Sequence, residues 1–430
     1  MSKNAYSDFE LFLQTELSST NIQRFVSEHS FDFFLQERVK ETLGMYTIKY
    51  PFEQRKRGRD LVTSPLHKDL KENGASFIEG PNGYEIPGWF YSNKSGISPS
   101  DHYGIPAGEG TFTKPYWFEA AREEYRACKE SVGIIDMSST AKIEIQGPES
   151  TECLQFLVYS DIDQPVGSII DTGMLYNNGT YVTECRVIPL ENNKYLVLSP
   201  AASRSKTMSW IQKNASFHSS SSVSVNDVTH EHGAIKLIGP KAMNLFESVS
   251  GRDIELSPNR VSKRLKKIYT ILSESGVRDV GHYALKSLHM EDFSSPIMVH
   301  LNTPMECGQD PNTLFKNTTF CGKDSLNNQN DVNRRFHKFL LTDFDKDSDV
   351  WPQGGEPIYS KGVFCGTVSM CSYCFGLESM VCSGFVKADD TNGRVTNSGK
   401  NDDSLFYEIA VAGKLYKANV KQSYEGTLLS

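Results

Sequence analysis

The sequence holds no uninterrupted apolar run approaching the ~20 residues that a membrane-spanning helix needs. It also lacks a basic excess, since 45 Lys+Arg stand against 53 Asp+Glu for a net charge of −8. That balance weighs against a nucleic-acid-binding surface, which must match a dense row of phosphates. The two short basic knots, Arg55-Lys56-Arg57 and Lys263-Arg264-Leu265-Lys266-Lys267, read as solvated faces. No strand-like run is followed by GxGxxG, and GxxxxGK[ST] and GxSxG are absent too. The dinucleotide, nucleoside-triphosphate and α/β-hydrolase fingerprints are therefore all missing. Asp8, Glu10 and Glu16 break what would be an acid-poor transit peptide, so no targeting segment is expected within this chain. The nine cysteines form no even, spaced framework, which fits reduced thiols in a cytosol-like or mitochondrial-matrix compartment.

What is present is enough apolar and aromatic matter for sizeable cores. The 430 residues are 38% hydrophobic and 11% aromatic, which suits several globular domains. Phe9, Leu11, Phe12 and Leu17, then Phe31, Phe34, Leu35 and Val39, give residues 8–45 a helical periodicity. From Pro51 to Pro115, frequent proline and glycine predict irregular chain draped over a core, with a boundary near Thr113-Lys114-Pro115.

Beyond that boundary one pattern occurs twice. Ala141-Lys142-Ile143-Glu144-Ile145 alternates like a strand, Gly147-Pro148 turns it, and Cys153, Leu154 and Leu157 follow with helical spacing. Ala234-Ile235-Lys236-Leu237-Ile238, Gly239-Pro240, then Met243, Leu245 and Phe246 repeat it. The repetition predicts two related α+β units in one domain. Between them, Met174-Leu175-Tyr176, Asn177-Asn178-Gly179 and Thr180-Tyr181-Val182 read as a hairpin with a type I′ turn. Lys194 to Leu198 adds a strand, and Ser219 to Ser222 a loop. After an Asn/Asp-rich boundary at 327–333, short strands at 339–341, 357–359, 362–364 and 406–409 suit a small antiparallel barrel, with a mobile polar loop at 389–403.

Few residues invite chemistry. Cys371-x-x-Cys374 lies in a strand-like stretch with only Cys382 nearby, so buried thiols are a better reading than a metal or redox pair. His230-Glu231-His232 is an incomplete ligand set and reads as a surface loop. Glu184 stands out. Counting from the turn places Val182, Glu184 and Arg186 on one strand face and Tyr181, Thr183 and Cys185 on the other. A carboxylate beside a cavity can position an amine and tune its protonation. A plain Glu184–Arg186 surface pair is the alternative from spacing alone.

Trp117-Phe118, Val132 to Ser138, Gly147-Pro148, Gly173-Met174-Leu175 and Thr303-Pro304-Met305-Glu306-Cys307-Gly308 form an ordered series. The series resembles the aminomethyltransferase domain of the glycine-cleavage T-protein family. Trp351-Pro352, Gly355 to Tyr359 and Cys382 to Val386 resemble that family's C-terminal barrel. Ser64-Pro65-Leu66-His67, Gly74-Ala75, Phe77 and Gly88-Trp89-Phe90 resemble the middle domain of dimethylglycine and sarcosine dehydrogenases. Within this group, Cys128-Lys129-Glu130, Val166-Gly167, Thr303 to Gly308 and Asp347 to Pro352 are most similar to regulatory subunits of pyruvate dehydrogenase phosphatase.

The resemblance implies an α+β fold in three parts. These are an oxidoreductase middle-domain-like segment at 1–113, a folate-binding aminomethyltransferase domain at 114–328, and a C-terminal barrel at 329–430. The FAD-binding part of such proteins would precede Met1, so flavin is not expected in this chain. Arg260-Val261-Ser262 runs straight into a helix where the family has a Thr-Gly-Glu-x-Gly stretch, which implies an internally shortened folate domain. Glu184 stands where active relatives carry the catalytic aspartate that holds the substrate amine. The family's Ser-Leu-Arg-Leu-Glu becomes Ser287-Leu288-His289-Met290-Glu291, which exchanges an always-charged group for a titratable one. His289 and Glu306 are the positions implied for tetrahydrofolate, and Tyr283 and Leu285 are expected to pack in the core. The implied role is non-catalytic regulation of the phosphatase catalytic subunit of the pyruvate dehydrogenase complex, in the mitochondrial matrix. The alternative is a folate-dependent one-carbon enzyme acting on a methylated amine.

Overall fold

The computed structural model describes residues 50–55, 57–91, 110–218, 222–250, 261–291, 302–309, 315–327, 332–387 and 407–420, with five helical positions between 33 and 40. The helical run expected at 8–45 and the polar loop at 389–403 lie largely or wholly outside these residues.

The proline-rich stretch after residue 51 is more ordered than its composition predicts. It contains helix α1 (His67–Glu72) and an antiparallel hairpin of β1 (Ala75–Glu79) and β2 (Glu85–Phe90). Its prolines occupy places that tolerate a missing N–H donor. Pro81 opens the connecting turn, and Pro87 sits opposite Phe77, beside the register shift at Ser76/Phe77.

The first copy of the repeated pattern is α2 (Phe118–Glu130), β3 (Gly133–Asp136), β4 (Ala141–Gln146) and α3 (Ser150–Leu157). Three strands follow: β5 (Ile170–Leu175), β6 (Tyr181–Glu191) and β7 (Lys194–Ser199). The second copy is α4 (Arg204–His218), β8 (Ser224–Asp227), β9 (Ile235–Ile238) and α5 (Ala242–Ser250). Ile143 and Ile235 both lie on strands, as the duplication requires.

The copies exchange strands. β8 of the second pairs with β4 of the first, and β3 of the first pairs with β9 of the second. The registers are equivalent, with Ile143 opposite Asp227 and Ile235 opposite Asp136. The resulting sheets run β5-β6-β7-β4-β8 and β10-β3-β9, where β10 is Arg278–Asp279. Two identical devices lock the exchange. Ser138 N–H donates to Asp136 Oδ1 (2.9 Å), and Thr229 N–H donates to Asp227 Oδ1 (3.0 Å). Each hydroxyl then accepts a backbone N–H from the other copy, Ala234 to Ser138 Oγ (3.1 Å) and Lys142 to Thr229 Oγ1 (3.0 Å). These bonds satisfy backbone donors that strand ends leave over.

The repeated Gly-Pro has a steric cause. Gly147 and Gly239 share φ +139°, and a Cβ there would lie 1.8 Å from the Ser222 carbonyl oxygen and 2.2 Å from that of Ser131. Only glycine fits both the dihedral and the approach. The Asn177-Asn178-Gly179 turn differs from the type I′ expectation. Type I′ needs positive φ at both central residues, yet only Gly179 has it (φ +81°). Gly179 N–H donates to Tyr176 O (2.9 Å) and Tyr176 N–H to Thr180 O (2.8 Å), the pattern of a type I turn closed by a left-handed glycine.

Two helices then follow, α6 (Val261–Glu274) and α7 (His282–Glu291), and a short helix α8 (Lys323–Asn327). The barrel is closed by β11 (Arg334–Leu341), β12 (Pro357–Ser360), β13 (Val363–Cys374), β14 (Ser379–Lys387), β15 (Tyr407–Val411) and β16 (Lys414–Val420). Its strand order is β11-β14-β13-β12-β15-β16. Cys371 and Cys374 are buried on β13, with Cys371 opposite Cys382. Cys371 donates to the Pro352 carbonyl oxygen (2.7 Å), and burial pushes its pKa up to about 12, as suits an inert core thiol.

One continuous core joins the parts. Trp89 of β2, Phe118 of α2, Leu285 of α7 and Phe339 and Trp351 of the barrel region belong to a single buried cluster. Tyr283 stacks on Trp117 at 3.8 Å between centroids, so α7 packs through the residues expected to face the core. The α1–hairpin unit packs Leu66, Leu70 and Phe77 against Ile134, Leu265 and Tyr269.

Candidate functional site around Glu184

Glu184 lies in mid-β6, opposite Gly173 of β5. The strand faces differ from the count made along the sequence. A register shift between Met174 and Leu175 pairs Leu175 with Tyr181 but Met174 with Thr183, so Val182 is the extra residue of a bulge. Val182 therefore joins Cys185 and Val187 in the core of the five-stranded sheet. Tyr181 turns the other way, into a cluster with Tyr159, Leu175, Cys307 and Phe320. Glu184 acts electrostatically on Tyr159, Tyr181 and Cys307 of that cluster. Arg186 is not its partner, because the guanidinium donates to Asp171 (2.6 Å).

Gly173 makes this arrangement possible. A Cβ there would come within 2.7 Å of the Tyr181 ring and 2.8 Å of the Tyr159 ring. The Glu184 carboxylate makes no hydrogen bond or ion pair among the described residues. Burial first, and the negative Asp171 second, push its pKa up to about 7. It is a half-buried acid poised to change charge near neutral pH, beside two buried phenols.

The segment carrying Glu306 docks next to it. Tyr181 N–H donates to Asn302 O (2.9 Å). Thr303 and Glu306 form a reciprocal box, with Thr303 N–H donating to Glu306 Oε2 (2.8 Å) and Glu306 N–H to Thr303 Oγ1 (3.2 Å). The other Glu306 oxygen accepts from Arg334 Nε (2.8 Å). Cys307 sits between the two carboxylates, and burial, Glu184 and Glu306 together push its thiol up to about 12. His289 is exposed near the end of α7. Its carbonyl oxygen accepts from Lys338 Nζ (3.1 Å), while Phe336 N–H donates to Glu306 O (2.9 Å). Glu184 and Glu306 thus both act on Cys307, whereas His289 meets the neighbouring β11 only through its backbone carbonyl.

Sequence reasoning missed Tyr159, Tyr181 and the fate of Glu291. Tyr125 Oη donates to Glu291 Oε2 (2.5 Å), and Lys129 pairs with its other oxygen at 3.2 Å. The Thr-x-x-Glu spacing at 303–306 was a readable sign of a capping box. No local pattern announces the tyrosine pair, which forms only when β5 and β6 meet. His230-Glu231-His232 lies in a surface turn, where His230 stacks on Tyr84. Among the described residues no group of three or more His, Cys, Asp or Glu side chains is placed to hold a metal ion.

The family described as GCVT N-terminal domain matches residues 66–260, and the FAD dependent oxidoreductase central domain matches residues 14–64. The pyruvate dehydrogenase phosphatase regulatory subunit of Mus musculus is 32% identical, over 93% of this chain and 50% of that protein. The chain carries a T-protein-like domain. Dimethylglycine dehydrogenase of Mus musculus is 25% identical over 90% of this chain and 47% of its own length. The chain thus spans about half the length of these two relatives. The crystal structure of aminomethyltransferase T from Bartonella henselae shares the fold with a TM-score of 0.64 at 16% identity, covering 84% of this chain and 96% of that one. The α+β architecture, the T-protein-like domain and the closed barrel expected from the sequence are all present. No helix among the described residues is long and apolar enough to cross a membrane.

Proposed function

We propose that this chain is a non-catalytic regulatory subunit of pyruvate dehydrogenase phosphatase. In this reading it binds the phosphatase catalytic subunit in the mitochondrial matrix and tunes reactivation of the pyruvate dehydrogenase complex. The observation that carries the reading is the 32% identity to a phosphatase regulatory subunit, sustained over 93% of the chain. The polar groups of the site support it. A pteridine ring presents N–H donors that an acidic acceptor must meet. Both oxygens of Glu306 are already engaged by Thr303 and Arg334, and both oxygens of Glu291 by Tyr125 and Lys129. In this reading these carboxylates are satisfied by internal partners and need no ligand. Moving either carboxylate to a ligand would strand the partners it now satisfies.

A second reading, a folate-dependent enzyme acting on a methylated amine, is favoured by one feature. Glu184 is a half-buried carboxylate with no hydrogen-bonded partner among the described residues, placed where a cationic amine could be held. One pair of assays separates the two readings. Adding the chain to the phosphatase catalytic subunit should change the rate of dephosphorylation of pyruvate dehydrogenase, and Glu184→Ala should leave that effect intact. Transfer from a methylated amine to tetrahydrofolate that disappears in Glu184→Ala would establish the enzyme instead.

A further inference from the structure

The internal repeat reveals a surface whose counterpart is covered. Residues 92 apart are equivalent, as Gly147 and Gly239 show. In the first copy, β4 lies between two neighbours, β8 on one edge and β7 on the other. In the second copy, β9 has the equivalent of β8, namely β3, on one edge; among the described residues nothing pairs with the other. The reason is in the chain. Val158 to Ser203, with β5, β6 and β7, separates α3 from α4, whereas ten residues, 251–260, separate α5 from α6.

The side chains record the difference. Leu154 of α3 is 0% exposed, packed with Val182, Val187, Tyr195 and Val197 of β6 and β7. Its equivalent, Phe246 of α5, is 56% exposed. Thr151 of α3 bonds the same hairpin through Asn193 and Tyr195. Its equivalent, Met243, is 67% exposed. Ile143 and Ile145 of β4 are fully buried, while Ile235 and Leu237 of β9 are only partly so. Both large apolar residues of α5 that face water are thus those whose counterparts touch the β6–β7 hairpin.

Charge says what would fit. In the first copy, Glu144 of β4 pairs with Lys194 of β7 at 3.2 Å. Its equivalent on β9 is Lys236, exposed and without an ion pair among the described residues. We propose that the β9 edge and the Met243–Phe246 face of α5 form a docking site for a β-strand or hairpin of another protein, added antiparallel to β9, apolar on its inner face and carrying a carboxylate diagonal to Lys236, as Lys194 is to Glu144. Backbone bonds along the edge supply affinity, and the alternate side chains and the charge supply selectivity. A second copy of this chain is a poorer occupant, because pairing β9 with itself brings two Lys236 ammonium groups onto a four-residue interface. The proposal is independent of the regulatory reading.

The test uses the whole chain and a probe taken from the repeat itself: a cyclised peptide of residues 181–199, with Lys194 or with Lys194→Glu. The Glu peptide should bind saturably, about two- to fivefold tighter than the Lys peptide at low salt. Binding should slow amide exchange at residues 235–238 and weaken at least tenfold in Phe246→Asp, whose melting temperature should match the parent because the residue is exposed. Failure of both peptides to bind would overturn the proposal. So would binding that persists in Phe246→Asp, or self-association of the chain that Phe246→Asp abolishes.

Discussion

At the scale of single residues, Glu184 sets a measurable pH dependence. Its carboxyl is held near 7 in the folded chain, against an ordinary value near 4.5. The folded state therefore keeps a proton that the unfolded state has released. Between about pH 4.5 and 7 this group makes stability fall as pH rises, and above 7 its penalty is constant. Glu184→Gln removes the penalty and should stabilise the protein by about 1–3 kcal/mol at pH 8, with little gain at pH 5. Urea unfolding at the two pH values measures this, and an equal shift at both would show that burial does not control the carboxylate. Glu306 should behave oppositely. It holds a backbone N–H and Arg334 at once, so Glu306→Ala should cost about 1–3 kcal/mol whether or not any ligand binds. A variant as stable as the parent would leave Glu306 free for another role.

At the scale of elements, the repeated glycines give a sharper test. Gly147→Ala and Gly239→Ala each face a forbidden dihedral and a backbone oxygen closer than any Cβ contact, and each should cost about 3 kcal/mol or more. Gly167 also has positive φ (+88°), but nothing lies within 4 Å of its would-be Cβ, so Gly167→Ala should cost only about 1 kcal/mol. Comparable losses at all three sites, measured by denaturant midpoint, would remove the steric argument. The same elements show what can be read from sequence. Strand, Gly-Pro and helix were legible because each leaves a local mark, whether alternation, a turn dipeptide or 3.6-residue spacing. The exchange of β3 and β8 was not legible, since pairing across some ninety residues leaves no local trace. Nor was the bulge at Val182, because Tyr-Val-Thr-Glu-Cys-Arg reads equally well in either register. The bulge decides which side chains share a face with Glu184, so the strand that carries it was readable and its company was not. The hairpin turn failed for a related reason: Asn-Asn-Gly satisfies both turn types, which differ in where the glycine's positive φ falls.

At the scale of the whole molecule, the question is whether the barrel folds with the rest or beside it. Trp351 is buried and sits at the seam. Its ring lies 6.4 Å from Trp117 and 5.9 Å from Phe118, both edge-on, and stacks over Tyr373 of β13 at 6.0 Å. Its indole N–H donates to the Lys346 carbonyl oxygen (2.9 Å), which fixes the ring's orientation. Around it, Phe375 N–H donates to Ser287 Oγ of α7 (3.0 Å), and Phe118 packs edge-on to Phe375 at 5.1 Å. The barrel is therefore joined to α2 and α7 by core packing of the kind that makes unfolding cooperative. The parent chain should unfold in one calorimetric transition that includes the barrel. Trp351→Ala should cost about 3–5 kcal/mol by emptying the centre of the seam. It should also separate the transition into two, because the closed barrel keeps its own ladder while the aromatic packing between it and α2 loses its central ring. A variant that melts in a single transition at the parent temperature would show that Trp351 contributes contact without coupling, and that the remaining α2 and α7 contacts tie the two parts together.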